Sequence, residues 1–334
     1  MKNKEKKTFK YLVFWIANTC NLSCEYCYAK KNFDGTFLTW GVAEKALDLL
    51  DENSTLVLAG GEPLLNFNLI KKIYSHLLAK DFKGKISLQT NGSLITEEIA
   101  KELSSMNIKI GISLDGMSEV NELYRGKSIE TFSGIKKLEK YGKKVSINAV
   151  ITNHTVDKLE KLVELCYFFN NVEALGLDLL RIENKSELLV PENENIYMYL
   201  KKAYERSLFL ESILGRKVAI REIEDARLRI IKNHTSCSYC YSSEGETAVV
   251  IPNGDIYPCS SLVNRFEYHM GNILDMNSII KIKLPNGKYE ECGHCPHISY
   301  CRGGCPSRLL INKELELDSA DCHLRKAVFK ILNK

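Results

Sequence analysis

No apolar run in this 334-residue chain approaches the length that carries a helix across a bilayer, so the sequence offers no helical membrane span. A secretory signal is missing as well. Residues 1–10 are basic, but the apolar stretch behind them, residues 11–17, is short and carries no small-residue cleavage site, so it reads as a strand. There is no dense basic run: 46 Lys and Arg against 42 Asp and Glu leave a net charge of +4. That is far weaker than a nucleic-acid footprint, though compatible with an acidic peptide partner. Internal repeats and low-complexity tracts are also lacking.

Cysteine, by contrast, is plentiful. Twelve cysteines in a chain expected to be cytoplasmic argue against a disulfide framework, which belongs to oxidising compartments and mostly to small domains. Their distribution is uneven. Cys20, Cys24 and Cys27 cluster near the start and Cys166 stands alone; Cys237, Cys240, Cys259, Cys292, Cys295, Cys301, Cys305 and Cys322 crowd the last hundred residues. Close-spaced thiols in a reducing compartment read as ligands for soft metals. Cys166, on a predicted helix beside Leu165 and Tyr167, reads as a small core hydrophobe.

Between residue 10 and about residue 214, short apolar or β-branched runs alternate with amphipathic stretches. Strands are expected at 11–17, 55–59, 85–89, 108–114, 145–151 and 174–180, and helices at 39–51, 68–80, 96–105, 131–141 and 155–170. Six such alternations imply parallel strands with right-handed crossovers and a sheet covered by helices on one face. A partial (β/α)6 barrel fits, with chemistry at the C-terminal ends of its strands. The division expected is an α/β barrel over 1–215, a helical linker over 216–236 and a small cysteine-rich domain over 237–334. In that last segment Asn253-Gly254 marks a hairpin between 247–251 and 256–257. It has too few apolar residues for a core of its own, so metal centres are expected to organise it.

Cys20, Cys24 and Cys27 stand in the pattern C-x-x-x-C-x-x-C on one loop after the first strand. Three thiolates can each ligate one iron of a 4Fe–4S cluster, and the missing fourth leaves one iron open for chemistry. Zinc held by three cysteines and a distant histidine is the bland alternative. The loop resembles the signature of radical S-adenosylmethionine (SAM) enzymes, in which an aromatic residue, here Tyr26, precedes the third cysteine. Gly60, Gly61, Glu62 and Pro63 follow the second strand and resemble that family's Gly-Gly-Glu-Pro motif, whose backbone and Glu hold the SAM amino group. Gln89-Thr90-Asn91-Gly92 and Ser113-Leu114-Asp115-Gly116, with Arg125 beyond, resemble stretches that line the SAM and substrate pocket. Taken alone, Asn91 and Asp115 are also turn residues. The resemblance implies that the open iron binds SAM and that an electron from the reduced cluster yields a 5′-deoxyadenosyl radical, which takes hydrogen from the substrate.

The later cysteines resemble the SPASM domain of peptide and sulfatase maturases. Its seven-cysteine pattern is present, and Cys237 supplies an eighth. The resemblance implies two auxiliary 4Fe–4S clusters, one on Cys237, Cys240, Cys259 and Cys305 and the other on Cys292, Cys295, Cys301 and Cys322. A pair of zinc ribbons is the alternative. His294, His297 and His323 lie among these thiols and are expected near the clusters rather than on them.

The function expected is post-translational modification: hydrogen abstraction from a peptide or protein, then oxidation or cross-linking into a thioether or carbon–carbon bond. Auxiliary clusters suit reactions that withdraw electrons from a substrate radical. The alternatives are formylglycine formation on a sulfatase, dehydrogenation of a small molecule, and an iron–sulfur electron carrier without SAM chemistry. Asp178 and Arg181 end the sixth strand, with Glu183 beyond, and a general base is sought among these three. A flavodoxin or ferredoxin is expected as reductant. With nineteen residues before Cys20 there is no room for a leader-binding domain, so a separate protein is one candidate for that task.

Overall fold

The computed structural model describes residues 7–181, 191–234, 238–288, 290–314 and 320–333. Glu183 and Cys237 lie outside the described residues.

Strands β1 (Phe9–Ala17), β2 (Leu50–Gly60), β3 (Lys85–Thr90), β4 (Lys109–Ser113), β5 (Val145–Ile151) and β6 (Val172–Leu179) lie side by side in chain order, every neighbouring pair parallel. Between them run α1 (Trp40–Leu47), α2 (Phe67–Ala79), α3 (Glu97–Ser105), α4 (Ser118–Tyr124), α5 (Ser128–Lys140) and α6 (Leu159–Phe168). Thr39 and Thr96 start α1 and α3 by accepting the Val42 and Ile99 N–H groups, which the helices leave unpaired. The first helix stops four residues short of expectation: Leu50 already pairs with Phe9 at the start of a strand longer than its apolar run.

Period-two alternation sets the two faces of this curved sheet. Leu12, Phe14, Leu56, Leu58, Leu88, Ile110, Ile112, Ile147, Leu175 and Leu177 point outward into one core shared with the helices. The intervening residues face the lumen. They are apolar on β1 and β2 (Val13, Val57, Ala59) and polar or absent on β3 to β6 (Ser87, Gln89, Gly111, Ser113, Ser146, Asn148, Gly176, Asp178).

Beyond β6 come α7 (Asn193–Leu214), closed by Gly215 at φ +65°, then the two-residue strand β7 (Ala219–Ile220) and α8 (Arg221–Ile231). The stretch expected to be wholly helical thus adds a strand to β6. The late segment is not set apart either. Its β8 (Thr247–Val250) pairs in parallel with β1, and β9 (Ile256–Tyr257) closes the expected hairpin on it. One nine-stranded sheet, β7-β6-β5-β4-β3-β2-β1-β8-β9, therefore runs through both regions among the described residues. The α9 (Pro306–Glu314) and α10 (Ala320–Ile331) helices follow, and α10 packs on α7 and α8. No helix of the described residues is long and apolar enough to cross a membrane.

Candidate active site

Six cysteines face one cavity of about 840 Å³ at the C-terminal ends of the strands. Cys20, Cys24 and Cys27 line it from the loop after β1, and Cys240, Cys259 and Cys305 line it from the late segment. A second, smaller cavity is walled by Cys292, Cys295, Cys301 and Cys322, with His297 stacked on Phe329 at its edge, ring centroids 4.8 Å apart. Cys166 is buried in the main core, where burial pushes its thiol up to about 12. Among the described residues no three His, Cys, Asp or Glu close on a point as a single ion requires. A cluster, taking one thiolate per iron, asks for no such convergence.

The first loop is held by backbone contacts that only glycine permits. Gly61 N–H donates to Ala17 O at 2.8 Å and Glu62 N–H to Thr19 O at 2.9 Å. A Cβ on Gly60 would stand 2.5 Å from Ala17 O, and one on Gly61 2.0 Å from Thr19 O. Both glycines line the cavity, whereas Glu62 and Pro63 are buried behind it. Glu62 accepts hydrogen bonds from Leu64 N–H (3.0 Å), Thr90 Oγ1 (2.7 Å) and Asn91 N–H (2.8 Å). Burial pushes its carboxyl up to about 7, against these three donors. Its carboxylate is thus spent on joining the end of β2 to the end of β3, rather than offered to a ligand. Asn91 does face the cavity, donating to Asn21 Oδ1 at 3.0 Å and standing 3.9 Å from Cys20 Sγ. Ser113 lines the same wall. Burial, with Glu62 and the two neighbouring thiols adding to it, pushes the free Cys20 thiol up to about 11.

Asp115 is likewise buried and acts through others. It accepts Arg125 Nε at 2.8 Å, Val150 N–H at 2.8 Å and the Tyr26 hydroxyl. Tyr26, on the cysteine loop, is thereby locked under the Arg125 guanidinium, which lies 5.4 Å from its ring centroid and reaches the cavity. Burial works against the Arg125 charge, but Asp115, Tyr26 and Cys24 more than restore it.

Asp178 and Arg181 form no acid–base pair. Asp178 binds Arg181 Nη1 and Arg308 Nη1, each at 2.6 Å. Enclosure raises its pKa, yet the two guanidinium groups more than offset that and hold the carboxyl below the usual range. Arg181 also donates to Ser261 Oγ at 2.7 Å and reaches within 3.9 Å of Cys305 Sγ. Arg308 in turn pairs with buried Asp321 at 2.8 Å, and Asp321 accepts the Cys305 N–H at 3.2 Å. The group is a brace between β6 and the late cysteines.

Several cavity residues were not anticipated from sequence. Tyr28 stands beside Arg181, whose guanidinium lies 5.3 Å from its ring, and its phenol is pushed up to about 12, first by burial. Arg302 lines the cavity from its pairing with Asp225 at 3.2 Å. Trp15 donates to Ser260, next to Cys259. Tyr28, Ser260 and Arg302 each adjoin a cysteine in sequence, and adjacency is the signal that could have found them.

The residues fit a cluster with one open iron: three thiols on a single loop at one end of a cavity, and a glycine pair that lets the loop sit against β2. A profile described as the radical SAM superfamily matches residues 16–166. The uncharacterized protein MJ0907 of Methanocaldococcus jannaschii is 34% identical over 297 residues, covering 85% of this chain and 94% of its own. The chain belongs to the radical SAM superfamily. Membership implies SAM and a 4Fe–4S cluster. A cysteine-type anaerobic sulfatase-maturating enzyme of Clostridium perfringens is 27% identical over 324 residues, covering 86% of this chain and 85% of its own. Native anSMEcpe with bound AdoMet and the Kp18Cys peptide superposes with a TM-score of 0.78 at 25% identity, covering 97% of this radical SAM chain and 98% of that one.

Proposed function

We propose that this radical SAM protein modifies peptides or exposed protein segments oxidatively, using three 4Fe–4S clusters. The observation that carries the reading is the shared cavity: the loop cysteines and the late trio Cys240, Cys259 and Cys305 face the same space. A substrate in that space lies between a hydrogen-abstracting centre and an electron acceptor.

Cys20, Cys24 and Cys27 are assigned to the SAM cluster; SAM bound there supplies hydrogen abstraction by a 5′-deoxyadenosyl radical. Gly60, Gly61, Asn91, Ser113 and Arg125 line the wall available to SAM, while Glu62, Pro63, Asp115 and Tyr26 keep that wall in place. Cys240, Cys259 and Cys305, with Cys237, are assigned to the first auxiliary cluster. The second takes Cys292, Cys295, Cys301 and Cys322, whose common cavity supports the grouping. The residue division proposed is a barrel over 1–215, a linker over 216–236 and a SPASM region over 237–334, with the sheet passing through all three. A flavodoxin or ferredoxin as reductant, a separate leader-binding protein and a cytoplasmic setting complete the proposal.

Formylglycine formation is the second reading, favoured by the likeness to a sulfatase-maturating enzyme over 85% of that enzyme's length. Reconstituted protein with dithionite and SAM is expected to release 5′-deoxyadenosine, and Cys24→Ala to abolish the release. Wild-type protein that makes none, or a variant that equals it, overturns the reading. Neighbouring reading frames separate the two substrates: a short cysteine-rich peptide favours cross-linking, a sulfatase favours formylglycine.

A further inference from the structure

A chain of side-chain hydrogen bonds crosses the lumen wall from β3 to the start of α8, and it ends on an arginine with no carboxylate partner among the described residues. Gln89 Nε2 donates to Ser87 Oγ at 3.1 Å, Asn148 Nδ2 donates to Gln89 Oε1 at 2.8 Å, and Arg221 Nη2 donates to Asn148 Oδ1 at 2.7 Å. Two glycines make the row possible. A Cβ on Gly111 would stand 2.4 Å from Gln89 Oε1 and 2.5 Å from Asn148 Nδ2, and one on Gly176 would stand 1.5 Å from Arg221 Nη2. The guanidinium therefore lies flat on the backbone of β6, delivered there because β7 pairs with Ala174 and Leu175 immediately before it.

The polarity of the row is fixed. Each amide uses its oxygen to accept from the next residue, so the arginine is oriented rather than free to swing. Its remaining N–H groups have no acceptor among the described residues, and Arg221 is exposed. The adjacent carboxylate, Glu222, feels the Arg221 charge but makes no ion-pair contact with it, and accepts Leu177 N–H at 3.0 Å. Gln89 belongs to the wall of the large cavity, and the Arg221 charge is felt by Tyr11 on the opposite side of the lumen. By contrast, the arginines that line the cavity itself, Arg125, Arg181 and Arg302, are each tied to an aspartate; Arg221 stands outside that lining and joins it through Asn148 and Gln89. The single carboxylate lining the cavity among the described residues, Glu244, sits exposed.

We propose that Arg221, pre-oriented by Asn148 and seated on Gly176, is a recognition residue for a carboxylate of the substrate. This rests on the reading of the substrate as a peptide and names its class: one bearing an acidic side chain, or its own C-terminal carboxylate, at a set distance from the modified residue. An oriented guanidinium discriminates a carboxylate from the isosteric amide, because the amide returns one donor to a donor.

The test is binding of synthetic peptide pools to the full, cluster-loaded, SAM-bound protein. Pools are fixed in turn at each position as Glu, Gln, Asp or Asn, and each is made as a C-terminal acid and as an amide. Wild type is expected to prefer the carboxylate over its amide about tenfold at one position or at the C-terminus, which tells the two sources apart. Arg221→Gln is expected to lose the preference and Arg221→Lys to keep part of it. Gly176→Ala is expected to lose it with the arginine still present, since the new methyl displaces the guanidinium. Equal binding of acid and amide pools by wild type, a preference that survives in Arg221→Gln, or no pool bound at all overturns the proposal. Because binding is the readout, the two readings fail separately. A carboxylate preference with no peptide modified upholds Arg221 and counts against the proposed reaction. Modification without preference does the reverse.

Discussion

Glu62 is a residue whose sequence neighbourhood points to a ligand and whose surroundings give it other work. The Gly-Gly-Glu-Pro run is legible in sequence, but that the Glu side chain turns inward is decided by Thr90 and Asn91, brought up by β3. Its carboxyl, raised by burial from 4.5 to about 7, binds its proton more tightly folded than unfolded. Its contribution to stability is therefore full below pH 4.5 and falls as pH rises to about 7, by on the order of 3 kcal/mol. Glu62→Gln, which cannot titrate and must turn an amide donor towards an N–H, is expected to be about 1–3 kcal/mol less stable at pH 5. The deficit is expected to shrink towards pH 8, as read by denaturant melts of both proteins. Asp178 shows the opposite shift. Held ionised by Arg181 and Arg308, it is a poor proton acceptor at any working pH. Asp178→Asn is expected to leave the pH profile of turnover unmoved while lowering iron content, because the brace to Cys305 is broken. A lost acidic limb in the profile with full iron would instead make Asp178 the base.

Elements bring together what residues alone do not. The loop after β1 and the turn after β2 meet through Gly60 and Gly61, and the fit is backbone to backbone, with no flexible side chain to give way. Gly61→Ala is accordingly expected to push the cysteine loop off the strand. Iron bound at the first site and 5′-deoxyadenosine formation are both expected to drop about tenfold or more, while the late clusters stay loaded. Mössbauer or EPR signals of the separate clusters check this. The periodicity of the six barrel strands was readable because each outward residue is apolar and each crossover is amphipathic. The two-residue β7 was not, since so short a strand has no period and owes its existence to the open edge of β6. For the same reason the hairpin at 247–257 was legible from its turn, but its parallel partner β1, more than 230 residues away in sequence, was not.

At the scale of the whole molecule, the late segment is both a cap and a continuation. It extends the sheet through β8, anchors α10 on α7 and α8, and carries three thiols over the cavity and four into a pocket of their own. If the pocket of Cys292, Cys295, Cys301 and Cys322 holds a whole cluster, wild type carries about 12 irons per chain and Cys322→Ala about 8. A variant that keeps both the full count and an unchanged EPR signal from that cluster shows that Cys322 is not among its ligands. The same measurement on Cys237→Ala tests whether the first auxiliary cluster takes its fourth thiolate from Cys237.

Local pattern by itself determined the alternating strands and helices and the three-cysteine loop at the end of the first strand, and it supplied the expectation that the late thiols hold metal. These are short-range signals: a period of two or 3.6, a spacing of three or two residues, a glycine pair. Only the tertiary structure decided which side chains look into the cavity. Packing buried Glu62 and Asp115 behind its wall, ion-paired Asp178 with arginines from two elements, and laid Arg221 across Gly176. Each of those outcomes depends on partners far away in the chain, and burial and electrostatics act through space rather than along sequence.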